Sequence, residues 1–164
     1  MKPKTNVVSL GGERWEVRRL TPAVGSYIWQ RLMAANVKAQ SVNQDAIQAT
    51  VDEAEEKRLK TLMDSVTPEQ RLRGVCGIAF MYMTFEDIEF VQTAAMRVTS
   101  LIQNAGGVET PVPVMADDGR GLLPLLAEDP ALVSQLVVEA LAFSLVSFLQ
   151  PTVASSRTAT AATT

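Results

Sequence analysis

The chain contains no histidine among its 164 residues. Imidazole general bases, Ser-His-Asp triads and His-ligated zinc are therefore excluded. It has one cysteine, Cys76, so no intrachain disulfide can form, and its expected place is a reducing compartment. Aromatic residues are only 5% of the chain. The interior must then be filled by Leu, Val, Ile, Met and Ala. No glycine-rich loop carries the following lysine of a phosphate cradle. Asp117-Asp118-Gly119 lacks the alternating oxygens and closing glutamate of a calcium loop and reads as a turn. Met1-Lys2-Pro3-Lys4 leads into polar and β-type residues without the apolar core of a secretory signal. These absences leave no candidate catalytic, cofactor-binding or metal-ligating residue, and the chain is expected not to be an enzyme.

What the chain does have is a repeated start-of-helix phrase. Thr21-Pro22, Thr67-Pro68-Glu69-Gln70, Thr84-Phe85-Glu86-Asp87 and Asp129-Pro130 each place a capping oxygen ahead of an apolar periodic run. Before the first of them, residues 6–20 read as a β-hairpin. Val7, Val8 and Leu10 form one strand, Gly11-Gly12 a two-residue turn, and Glu13 to Arg18 an alternating second strand. Trp15 and Val17 are expected to face the core.

Five helices are expected after the hairpin. The first carries Val24, Ile28, Leu32 and Ala35 on one stripe, fades near Asn36, and gives way to a polar linker over 39–44. The second runs from Asp45 to Met63, with the helical ion pairs Glu53–Lys57 and Glu56–Lys60 and a thin apolar stripe. The third starts at the capping box Thr67 to Gln70 and carries Leu72, Cys76, Ala79 and Met83. Its Gly74 and Gly77 permit close approach of another backbone. The fourth follows Thr84 with Ile88, Val91, Ala95, Val98, Ile102 and Ala105, and stops at Gly106-Gly107. Residues 106–124 read as a long connection.

The fifth helix, from Asp129-Pro130 to Pro151, is apolar almost all round. Its length would span a bilayer. Glu139 near its middle opposes that, at roughly 2.5–3.5 kcal/mol for an acid at the centre of a span. A buried central helix, or one completed by a partner chain, fits better, with Glu139 beside a polar partner, at an interface, or near a helix end exposed to water. The Asp45–Met63 helix is too charged to help cover it, so some of Leu141, Leu145, Phe148 and Leu149 are expected to stay exposed as an interaction surface for a second copy or a partner helix. Residues 1–150 thus form one mainly α domain with a small N-terminal β-hairpin, and 151–164 a disordered low-complexity tail.

Charge is unevenly spread. Residues 1–40 hold seven Lys/Arg and two acids, a net +5, which leaves −8 for the rest of a chain of net −3. Steering of a charged partner and head-to-tail association are both open; two solvated faces of one domain is the simpler reading. Glu13 and Glu16 interleave with Arg14, Arg18 and Arg19, so no basic stripe for nucleic acid exists.

The stretch Val7 to Trp29, with Gly12, Trp15, Val17, Arg18, Leu20, Thr21 and Pro22 in sequence, resembles the opening of the tail assembly chaperones of long-tailed bacteriophages. Elsewhere the likeness is one of layout only. The resemblance implies a viral protein of the host cytoplasm that binds the long helical tape-measure protein and hands it to tail-tube subunits. It implies self-association, and no residue roles. The alternative is a small structural subunit of the tail or head–tail connector retained in the virion.

Overall fold

A computed structural model of the chain describes residues 4–47, 57–58, 61, 65–116 and 121–149. Strands β1 (Thr5–Leu10) and β2 (Glu13–Arg18) form the expected hairpin. Gly11 and Gly12, at φ 61° and 79°, make the tight turn, a conformation that favours glycine. Trp15 and Val17 are fully buried. The indole N–H of Trp15 donates to the Leu10 carbonyl at 2.9 Å, which lets a polar group enter the core satisfied.

Helix α1 spans Pro22–Ile47. It neither fades at Asn36 nor yields to a linker over 39–44. Asn36, a weak helix former, is held by hydrogen bonds from its Nδ2 to the Leu32 and Val75 carbonyls, at 2.9 and 3.3 Å. The second of these ties α1 to the next helix, and Ala39 is buried one turn further on. Tertiary packing overrides the polar composition here. Of the expected Asp45–Met63 helix, Asp45 to Ile47 end α1 and residues 57, 58 and 61 are helical; the rest lies outside the described residues.

Helix α2 (Pro68–Phe80) opens with the expected capping box. The Gln70 amide donates to the Thr67 hydroxyl at 3.2 Å, and the Thr67 amide to the Gln70 side chain at 3.0 Å. Gly74 and Gly77 have no neighbour close enough to meet an added Cβ among the described residues, so the fold makes no use of that notch. Cys76 is fully buried, and burial pushes its thiol up to about 12. Helix α3 (Phe85–Arg97) is capped by Thr84, whose hydroxyl accepts from the Asp87 amide.

The fourth helix does not run on to Ala105. It stops at Arg97, and Thr99–Ala105 is strand β3. Gly106-Gly107, at φ 62° and 85°, is a second hairpin turn, leading into β4 (Val108–Pro113). Thr99 makes the break: its hydroxyl donates to the Ala95 carbonyl at 2.9 Å, closing the helix end as the chain turns extended. The sheet order is β1-β2-β3-β4, antiparallel throughout, with Trp15 opposite Leu101 and Ser100 opposite Pro113. The fold therefore has a larger β component than the expected small hairpin, although helices still dominate.

The region read as a connection holds β4, a bridge between Met115 and Leu122, and the short helix α4 (Pro124–Ala127). Asp117-Asp118-Gly119 and the tail 151–164 lie outside the described residues. The last helix, α5 (Pro130–Leu149), begins where expected, with the Asp129 carboxylate accepting from the Leu132 amide at 2.9 Å. It is long and apolar enough to cross a membrane by length and composition. In this fold it is the central core helix, packed chiefly on α2 and α3 and also on β1 and β2.

Candidate functional site

Of the four side chains expected to form an exposed surface on α5, Leu141 and Leu145 are fully buried in this chain's own core. Leu149 is half-buried, and Phe148 is exposed but stacked on Trp29 with ring centroids 5.4 Å apart. The cover comes chiefly from α2 and α3, with the first hairpin closing another side. Val8, Leu10, Trp15 and Val17 present the core face of β1 and β2 to α5. The turn residue Gly11 sits so close to Leu132 that an added Cβ would lie 3.2 Å from its Cδ2. Gly25 of α1 also faces Leu145, where an added Cβ would make an ordinary contact at 3.4 Å with Cδ2.

Of the three placements open to Glu139, the structure shows a polar partner. Arg73 of α2 grips it with both prongs, Nε to Oε1 at 3.0 Å and Nη2 to Oε2 at 2.8 Å. The bond to Glu139 is the main cause holding the Arg73 pKa above its ordinary value. This pair lets one carboxylate sit on an otherwise apolar helix. Among the described residues no three His, Cys, Asp or Glu side chains gather to hold a metal ion.

Among the described residues, a groove of about 530 Å³ lies elsewhere, between the start of α1 and the outer face of α3. Leu20, Thr21 and Val24 form one wall; Phe90, Ala94 and Val98 form the floor. Glu86 and Glu89 stand at one end and Arg97 at the other. Helical spacing produces this arrangement. Residues 86, 90, 94 and 97 share one face of α3, while Val91 and Ala95 are buried on another. The acids belong to the first turn of α3 and Arg97 to its last, as the helix dipole favours.

The wall is firmly held. The Leu20 amide donates to the Ser144 hydroxyl at 3.0 Å, and the Arg19 guanidinium donates to the Phe143 carbonyl at 2.7 Å while lying over the Phe143 ring. Beyond Val24, Tyr27 meets Phe90 edge to face at 4.9 Å. Arg31 covers Tyr27 and pairs with Asp87 at 3.4 Å. Tyr27 first and Asp87 second raise the Arg31 pKa above its ordinary value. The Asp87 carboxylate is thus taken up by the ion pair with Arg31, whereas Glu86 and Glu89 face solvent at the groove.

The dominant Ile88–Val91–Ala95 stripe of α3 masks this groove in the sequence. The visible signal is a second stripe, Phe90–Ala94–Val98, at i, i+4, i+8. No family model matches the chain, and no curated protein or solved structure matches it either.

Proposed function

We propose that this chain is a non-enzymatic phage tail assembly chaperone of the host cytoplasm. It binds a helical segment of the tape-measure protein in the groove between α1 and α3 and helps tail-tube assembly. One observation carries the reading: the segment that resembles this family, Val7 to Trp29, supplies a wall of the apolar groove between α1 and α3 through Leu20, Thr21 and Val24. A groove with an apolar floor and charges at both ends suits an amphipathic helix read through anchors at i, i+3 and i+4. Glu86 and Glu89 favour a basic end of that helix, and Arg97 an acidic one.

The test is co-expression of the tagged chain with a phage tape-measure protein from the same genome. The wild type should capture that protein, and Phe90→Asp should lose at least about tenfold in capture. Phe90 is 42% exposed, so the substitution leaves the core intact. Mass spectrometry of finished particles should not find the chain. Its presence there at structural stoichiometry would favour a virion subunit instead, and failure of the wild type to capture would remove the chaperone reading.

A further inference from the structure

The two edges of the sheet are built differently. A two-residue turn makes its flanking pair hydrogen-bonded, and antiparallel pairs alternate from there. From the pair Ala105 and Val108, the β4 residues whose backbone groups point away from β3 are 109, 111 and 113. Two of these are proline, Pro111 and Pro113, which offer no N–H to a further strand. That edge is closed to pairing. From Leu10 and Glu13 the same count leaves Thr5, Val7 and Ser9 of β1 pointing away from β2. The bond from the Arg18 amide to the Val98 carbonyl, on the opposite side of β2, fits this phase. β1 has no proline, charge or bulge between Thr5 and Leu10. Among the described residues no chain segment pairs with its outer side. Natural sheets rarely leave a six-residue edge so open.

We propose that β1 pairs antiparallel with β1 of a second copy about a twofold axis at Val7, joining two four-stranded sheets into one of eight. Self-complementarity of the strand identifies the occupant. Centred on Val7, the three outward positions match one another: Val7 faces Val7 of the second copy, and Thr5 faces Ser9 in both directions. All outward N–H and C=O groups are then used, and any shift by two residues uses fewer. The side chains agree. Val7, 47% exposed in the single chain, is covered by its copy; Thr against Ser is a favourable cross-strand pair; and no like charges meet. Because β4 is closed by proline, the contact cannot run head to tail and must stop at a dimer. The pairing does not depend on what fills the α1–α3 groove.

Sedimentation equilibrium of the full chain over a range of concentrations tests this. The wild type should reach twice the chain mass of 17.8 kDa. Val7→Pro removes the central outward N–H from each copy without touching the bonds to β2, and should weaken the dimer about a hundredfold. Glu109→Pro, at an outward position of the closed edge, should leave the dimer intact. Val7→Lys and Val7→Glu should each be monomeric alone and form a mixed dimer when combined, which separates lost pairing from misfolding. A wild type that stays monomeric at its highest soluble concentration overturns the proposal. So does a dimer that survives Val7→Pro, or one that Glu109→Pro abolishes. If Val7→Pro fails to fold, the mixed-charge pair decides alone.

Discussion

The two hairpins of this sheet share a turn and little else. Both turn on Gly-Gly at nearly the same positive φ values, and both close a six- or seven-residue strand. The first is wedged into the core. Trp15 and Val17 are fully buried, and Gly11 abuts Leu132 of α5. The second is anchored only at its base, where Thr99, Ser100 and Leu101 are buried. From Gln103 to Thr110 every residue is exposed, and nothing meets an added Cβ at Gly106. The same local turn chemistry thus serves a structural hairpin and a projecting one, and burial of the strand separates the two.

The sharpest way to break that comparison is to empty the buried strand. Trp15→Ala should cost about 3–5 kcal/mol in denaturant unfolding, through the cavity it leaves in the core. Cys76 gives a second readout in the same core cluster. Its thiol, raised from 9.0 to about 12, should resist alkylation in the native wild type and react faster in Trp15→Ala. The same shift sets a pH window. Below 9 the thiol is protonated folded or unfolded and has no effect. Between 9 and about 12 only the unfolded state gives up its proton, so stability should fall across that range, and Cys76→Ala should remove this component of the fall.

The turns come next in size. An alanine at positive φ costs roughly 1–2 kcal/mol at either site. Gly11→Ala must also displace Leu132, for about 1 kcal/mol more, whereas Gly106→Ala meets open space. Equal losses at the two glycines would contradict the contrast between the hairpins. The smallest effect belongs to the ion pair joining them on the outer face of the sheet, Arg14 with Glu109, each half exposed. Arg14→Ala should change stability by no more than about 0.5 kcal/mol.

The first hairpin was legible because Gly-Gly stands between short runs that alternate without ambiguity. The second repeats the same Gly-Gly but was hidden. Ile88, Val91, Ala95, Val98, Ile102 and Ala105 happen to keep helical spacing across the junction, and periodicity alone does not see the break at Thr99-Ser100. The burial of Leu141 and Leu145 was hidden for a different reason: α2, α3 and the core face of the first hairpin cover α5 through a tertiary arrangement that no local periodicity shows. The caps at Thr67, Thr84 and Asp129 were readable because each depends only on its own neighbours. A polar partner for Glu139 was one of three open placements and had no name, since Arg73 meets it only through the packing of α2 on α5. The charge asymmetry is partly resolved inside the chain: Arg14 and Arg31 of the basic front pair with Glu109 and Asp87 of the acidic remainder.

The groove beside α3 carries the proposed function, and hydrogen–deuterium exchange on the full chain with and without the proposed tape-measure partner tests it most directly. Binding in the groove should slow exchange at the α1 start, around Leu20 to Val24, and along α3 from Phe90 to Val98, while the projecting tip of the second hairpin stays unchanged. Protection confined to that hairpin or to the exposed end of α5 near Phe148, or no protection at all, would contradict it.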